Sequence, residues 1–222
     1  MKYSIVLFDL DYTLGDATGG ILQCFRFALR EMHLGDYSDD TLRNTIGHTL
    51  EDSFTIVTGV REPEERERFR MLYSQKADQI MEKALRLYPD TLNLLSGLDK
   101  MGCTMAVVST RPVQRLEVML KHVHARAYFK ELIGVDSVPR AKPDPAGILM
   151  ALSRLQAPPE QAVYIGDTVI DAEAAQRAGV DFIAVCTGTT KAGAFAGFPC
   201  RLVAANLGEV AAFLNIPLLK GE

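Results

Sequence analysis

Nowhere along its 222 residues does the chain hold an apolar run approaching the ~20 residues that cross a bilayer. Its first apolar stretch, Ile5-Val6-Leu7-Phe8, is too short for a signal peptide and is broken at once by Asp9. The four cysteines, Cys24, Cys103, Cys186 and Cys200, make no CxxC pair and have no histidine cluster beside them, so they read as free thiols in a reducing compartment. A basic stripe is missing too. The formal net charge is −4, and Arg61, Arg66, Arg68 and Arg70 are interleaved with Glu62, Glu64, Glu65 and Glu67. That pattern is a solvated, ion-paired helix face and not a track for a nucleic-acid backbone. These absences predict a cytoplasmic chain with no nucleic-acid and no membrane partner; a monomer and a homodimer both stay open.

What is present points to a folded α/β chain. Hydrophobic residues make up 48% of the sequence, enough for one sizeable core or a core with a smaller satellite domain. Short apolar runs at Ser4–Leu10, Thr104–Val108, Ala162–Ile165 and Phe182–Val185 suit strands buried on both faces of a parallel sheet. Helical patterns separate them at Asp90–Met101, Pro112–Val123, Pro145–Leu155 and Val169–Ala178, the last stopped by Gly179. The alternation predicts a doubly wound, mostly parallel, Rossmann-like sheet with all strand C-termini, and therefore any ligand, on one edge. From about Asp16 to Leu87 the alternation fails. Helical patterns at Gly20–Met32, Ser38–Thr45, Leu50–Thr58 and Glu62–Leu87, with no strand among them, predict a helical domain at 16–87 inserted into a core formed by 1–15 and 88–222.

Four short strings carry chemistry. Phe8-Asp9-Leu10-Asp11-Tyr12-Thr13-Leu14 puts two carboxylates where a buried strand runs out. Gly166-Asp167-Thr168-Val169-Ile170-Asp171 puts two more where a strand ends and a helix opens. Each string alone also fits a plain structural role: a loop capped by acids, or an N-cap from Asp167 or Thr168 with Asp171 favoured by the helix dipole. Four acids at two strand ends are harder to explain that way, because they repel, and a hard divalent cation such as Mg²⁺ resolves the repulsion. The third string is Lys142-Pro143-Asp144-Pro145, in which Lys142 is either an exposed loop lysine or a charge brought to the edge. The fourth, Ser109-Thr110-Arg111-Pro112, offers a hydroxyl and helix N–H groups that can hold an oxyanion or simply cap a helix.

In order and spacing the four strings resemble the motifs of the haloacid dehalogenase-like hydrolase superfamily, in its phosphatase branch with a helical cap, and are most similar to phosphoglycolate phosphatase-like members. The resemblance implies a Mg²⁺-dependent hydrolase of a small phosphorylated metabolite. Asp9 would attack phosphorus and Asp11 would act as general acid and base. Asp9, Asp167 and the backbone carbonyl of Asp11 would hold the metal, with Asp171 supporting them. Ser109 and Thr110 would bind phosphoryl oxygens, and Lys142 would neutralise phosphate and Asp9. His48, in the cap string Gly47-His48-Thr49-Leu50, would either bond the leaving group or serve as a surface or helix-cap residue. The second acid, Asp11, favours ester hydrolysis over dehalogenation. Related mutases carry a cap arginine where this chain has Leu50, which favours hydrolysis over isomerisation. A phosphotransferase, a mutase, a pyrophosphatase and a non-catalytic phospholigand-binding module are the alternatives. Tyr12, Ala17 and Thr110 depart from the glycine, serine and asparagine usual in the family, so Tyr12 is expected to crowd or shape the pocket.

Overall fold

The computed structural model describes residues 2–216. In chain order the elements are β1 (Ile5–Phe8), β2 (Gly15–Asp16), α1 (Thr18–Glu31), α2 (Asp39–Arg43), α3 (Leu50–Thr58), α4 (Pro63–Ile80), β3 (Arg86–Leu87), α5 (Thr91–Lys100), β4 (Thr104–Val108), α6 (Val113–His122), β5 (Phe129–Ile133), α7 (Ala146–Leu155), β6 (Ala162–Gly166), α8 (Val169–Ala178), β7 (Asp181–Val185), β8 (Cys200–Ala204) and α9 (Leu207–Phe213). Six strands form one sheet in the order β5-β4-β1-β6-β7-β8, and every neighbouring pair is parallel.

Strand alternation splits the core into two layers. Val6 and Phe8 of β1 share one layer with Met105, Val107, Val163 and Ile165. Ile5 and Leu7 share the other with Ala106, Val108, Ala162 and Tyr164. The first layer is covered by α5, α6 and α9, through residues such as Leu95, Leu116 and Val210. The second is covered by α7 and the alanine-rich face of α8. Phe8 pairs with Val107 on one side and Ile165 on the other, so the three central strands end level and Asp9, Ser109 and Asp167 leave the sheet at neighbouring points.

Between β1 and β4 the chain is almost wholly helical. Helices α1, α3 and α4 share an aromatic cluster, with Phe54 stacked on Phe69 at 4.8 Å and Tyr73 edge-on to Phe25 at 5.5 Å. The outer face of α4 carries the expected ion pairs, Arg70–Glu67, Arg68–Glu65 and Arg66–Asp52.

The sequence pattern needs three corrections. The helix expected over Glu62–Leu87 ends at Ile80, and Arg86–Leu87 instead pairs antiparallel with Gly15–Asp16, a ladder that ties the two ends of the helical segment together. Two strands escaped the pattern, β5 (Phe-Lys-Glu-Leu-Ile) and β8 (Cys-Arg-Leu-Val-Ala). Both are edge strands, where one side stays wet and charged residues break the apolar run.

Candidate active site

Asp9 follows β1 directly, and its N–H donates to Ile165 O at 2.9 Å, which fixes the residue against the end of β6. Its side chain is buried, and Oδ1 accepts from Lys142 Nζ at 2.8 Å. The same ammonium donates to Asp171 Oδ1 at 2.6 Å and to the Tyr164 hydroxyl at 2.9 Å. Lys142 is therefore not an exposed loop lysine; its side chain is 5% accessible and all three of its donors are engaged.

Asp167 leaves β6 beside Asp9. One carboxylate oxygen each from Asp9, Asp167 and Asp171 lie within 4.8 Å of one another. The oxygens differ in how they are used. Asp171 Oδ2 accepts the N–H and the hydroxyl of Thr168, closing a capping box at the start of α8, and its Oδ1 is held by Lys142 and Tyr164. Thr168, not Asp167, is the N-cap. Among the described residues no donor reaches Asp9 Oδ2 or Asp167 Oδ2; only a long 3.4 Å contact from Thr13 touches Asp167, at Oδ1. Asp9 and Asp167 thus keep free lone pairs within the cluster, while both oxygens of Asp171 are engaged. Gly188 permits the close approach: a Cβ there would sit 2.2 Å from Asp167 Oδ2.

The electrostatics call for a cation. Burial pushes the Asp9 carboxyl up to about 7; Lys142 pulls it back, while Asp171 and Asp11 add to the rise. Burial, with Asp171 and Asp9 beside it, also carries Asp167 well above the usual carboxylate range. Burial opposes charge on Lys142, yet Asp171 and Asp9 outweigh it and raise the ammonium's pKa. Four acids, Asp9, Asp11, Asp167 and Asp171, face two bases, Lys142 and Arg111, so the fully ionised cluster is two charges short of neutrality. Two free carboxylate oxygens and a deficit of two positive charges fit a divalent, oxygen-seeking ion.

The Asp11 carboxylate stands apart from this acidic trio. It makes a two-pronged pair with Arg111, Oδ2 to Nε at 2.5 Å and Oδ1 to Nη2 at 2.9 Å. Ser109 is buried at the end of β4, and its Oγ accepts from Arg111 N at 3.3 Å. Thr110, Gly47 and His48 line a cavity of about 210 Å³ that opens beside Asp11 between the helical segment and the sheet edge. Its walls are largely apolar, from Ile21, Phe25, Ile46, Leu50 and Tyr73. Burial holds the His48 imidazole below its ordinary pKa, against the pull of Asp52.

Three expectations change in this frame. Tyr12 does not line the cavity. Its backbone is left-handed at φ 58°, the conformation that glycine takes most easily, and its hydroxyl meets the start of α1, where it accepts from Thr18 Oγ1 at 2.7 Å. Leu50 does line the cavity, but Arg70, Arg111 and Arg115 line it too, so the lack of an arginine at position 50 does not leave it uncharged. Tyr164 and Arg111 were not anticipated. Tyr164 is hidden in an apolar strand, and only its period-2 position, on the same face as Leu7 and Val108, signals that it meets Lys142. Arg111 stood in the Ser-Thr-Arg-Pro string as the one basic residue at a strand end.

An all-parallel doubly wound sheet, with a helical insertion after its first strand and its acids gathered where the strands end, places the chain among Rossmann-like proteins whose chemistry lies on the carboxyl edge of the sheet. The chain belongs to the haloacid dehalogenase-like hydrolase family, whose model matches residues 6–185. It is similar to a phosphoglycolate phosphatase of Rhodobacter capsulatus, 31% identical over 189 residues that cover 84% of this chain and 85% of the relative. It is also similar to pyrophosphatase PpaX of Bacillus mycoides, 29% identical over 185 residues that cover 83% and 84% of the two chains. A haloacid dehalogenase-like hydrolase from Bacteroides fragilis superposes with a TM-score of 0.92 at 41% identity, over 94% of this chain and 100% of that one. Among the described residues no helix is long and apolar enough to cross a membrane.

Proposed function

We propose that the protein is a Mg²⁺-dependent phosphatase of a small phosphorylated metabolite, with Asp9 as covalent nucleophile and the helical segment 16–87 as its cap. One observation carries the reading: Asp9 presents a bond-free oxygen at the strand end while its other oxygen is pinned by a buried lysine.

Asp9 Oδ2 attacks phosphorus in line, the bond to the leaving oxygen breaks, and an aspartyl-phosphate forms on Asp9. Asp11, from the neighbouring loop, gives its proton to the leaving oxygen. It then takes a proton from water, whose oxygen attacks the same phosphorus and returns Asp9 to its free carboxylate. Lys142 holds Asp9 at the angle of attack and offsets charge on the transferred group. Ser109 and Thr110 bind its oxygens. Asp9, Asp167 and the Asp11 carbonyl would hold Mg²⁺, which when bound neutralises phosphoryl charge, and Asp171 orients that set through the Lys142–Tyr164 network. The cavity beside His48 and Thr110 receives the leaving group.

Pyrophosphate cleavage is a second reading, favoured by the three arginines on the cavity wall and by the similarity to PpaX. With Mg²⁺, the wild type should release phosphate from p-nitrophenyl phosphate, and Asp9→Asn should lower kcat by at least about 10⁴-fold while keeping the native circular dichroism. Full turnover in that variant, or in excess chelator, refutes the aspartyl-phosphate route.

A further inference from the structure

Asp11 and Arg111 hold each other in a way that serves neither of their prospective tasks. The guanidinium fork fills both carboxylate oxygens of Asp11. In return, Asp11 fills the Nε–H and one Nη2–H of Arg111, which lines the cavity. Both side chains are nearly closed off, 11% and 10% accessible, so this is a buried pair and not a surface contact. A leaving oxygen brought beside Asp11 would meet a carboxylate with its lone pairs already engaged.

The other charges around the cavity are committed elsewhere. Arg115 donates to Ala77 O and to Asp78. Arg70 pairs with Glu67 and with Glu51, which lines the cavity beside it. Lys142 is spent on Asp9, Asp171 and Tyr164. Among the described residues, Arg111 is therefore the one buried cation on the cavity wall whose partner is a residue of the reaction and not of the frame.

We propose that Arg111 is a specificity-determining residue that exchanges carboxylates: a carboxylate on the substrate's leaving group takes the guanidinium fork, and Asp11, displaced from it, becomes free to face the leaving oxygen. This rests on the phosphatase reading above and deepens it. The exchange replaces one planar, two-oxygen anion with another in the same fork, so the fork's hydrogen bonds and charge are conserved, and the displaced Asp11 carboxylate takes from solvent the proton that it gives to the leaving oxygen. A neutral leaving group offers no such replacement, and drawing Asp11 away would leave Arg111 buried and unpaired. A distal phosphoryl group fits less well, because its second negative charge meets no further uncommitted buried cation. The cavity, about 210 Å³, is smaller than the 300–1,000 Å³ or so of drug-sized sites, which suits a leaving group of a few heavy atoms. Recognition of the correct leaving group and release of the general acid are then one event, which confines fast turnover to carboxylated esters.

Steady-state kinetics with Mg²⁺ on four probes test this: 2-phosphoglycolate, its uncharged amide, pyrophosphate and p-nitrophenyl phosphate. The wild type should prefer the acid to the amide by at least about 100-fold in kcat/KM, with much of the difference in kcat; the roughly 10⁴–10⁵-fold reached when a designed polar partner is lost outright is the ceiling, because the amide keeps one acceptor oxygen. Arg111→Met should abolish the preference by slowing the acid and, because Asp11 is no longer clamped, speeding the amide several-fold. Arg111→Lys, which keeps the charge without the fork, should restore only part of the preference. Equal losses on acid and amide in Arg111→Met mean that Arg111 is only structural and overturn the exchange. So does a wild type that hydrolyses the amide or pyrophosphate as fast as the acid, whatever the variants do. If Arg111→Met does not fold, the acid-to-amide ratios of the wild type and of Arg111→Lys decide. An enzyme that cleaves p-nitrophenyl phosphate without any carboxylate preference refutes the exchange and leaves the phosphatase standing; release of phosphate from none of the probes refutes both.

Discussion

The two sides of the site are built differently. On the sheet side, Asp9, Lys142, Tyr164 and Asp171 are cross-linked by hydrogen bonds of 2.6 to 2.9 Å and buried under β1, β4 and β6. On the side toward the helical segment, its residues His48 and Leu50 border an apolar hollow with Thr110, and the polar contact that dominates it, Asp11–Arg111, joins two sheet-edge residues that a substrate would part under the proposal above. The first region is arranged before any ligand arrives, as transfer of a phosphoryl group demands, because its geometry is the same for every ester. The second is arranged for whichever leaving group it must accept or refuse. On the proposed function, phosphoryl transfer and selectivity are set on opposite walls of one cleft, and substitutions on the two walls should fail in different ways.

Lys142→Met strikes the sheet wall hardest. It leaves Asp9 and Asp171 buried without their shared cation, which costs about 3–5 kcal/mol of stability. It also removes the charge that steadies the proposed nucleophile, Asp9, which should cost about 10²–10³-fold in kcat. Urea unfolding alongside phosphate release measures both. A variant as stable as the wild type would show that the network is not the rigid frame assigned to it, and would remove the contrast with the helical wall.

The same wall should make the metal-free protein sensitive to pH. The Asp9 carboxyl rises from 3.8 to about 7 on folding, chiefly through burial. Below the lower value both states are protonated and the group contributes nothing. Between the two values the folded state keeps a proton that the unfolded state has lost, so stability falls as pH rises, and above about 7 the whole penalty, at most ~4 kcal/mol, is present. Asp167, raised for the same reason, acts in the same direction. In chelator the melting temperature should therefore be higher at pH 5 than at pH 8, and Asp9→Asn should flatten that slope. Saturating Mg²⁺ should recover about 2–3 kcal/mol at pH 8 at a hundredfold excess over its dissociation constant. A metal-free protein that becomes more stable from pH 5 to 8 would mean that the acids are not crowded as described.

That contrast between walls also explains what could be read from the chain. Central strands are dry on both faces, so β1, β4, β6 and β7 announce themselves as apolar runs, and the acids that end β1 and β6 stand out against them. Lys142 was legible as part of its string, although not as a buried residue. Edge strands such as β5 share their composition with helices and loops and gave no comparable signal. The β2–β3 ladder joins residues some seventy positions apart, beyond the reach of any local periodicity. Arg111 and Tyr164 were visible as letters, but their partners, Asp11 and Lys142, come from distant loops, and a charge pair between loops leaves no periodic trace.

Gly47 is where the helical wall touches the sheet wall, and it supplies the mildest test of their independence. Its φ of +107° lies in territory that side chains with a Cβ avoid, and an added Cβ would stand 3.1 Å from Thr168 Cγ2 at the start of α8. Gly47→Ala should therefore cost about 1–3 kcal/mol locally, as strained backbone positions do. The loop can relieve that strain by lifting from Thr168, carrying His48 with it and widening the cavity. The capping box of Asp171 and Thr168 lies beneath the contact and does not depend on it. The expected signature is a raised KM and weakened discrimination among leaving groups, with kcat on p-nitrophenyl phosphate reduced less than about tenfold. Should kcat on that probe instead collapse as it does in Lys142→Met, the loop would belong to the transfer machinery, and the boundary between the two walls would have to be drawn on its far side.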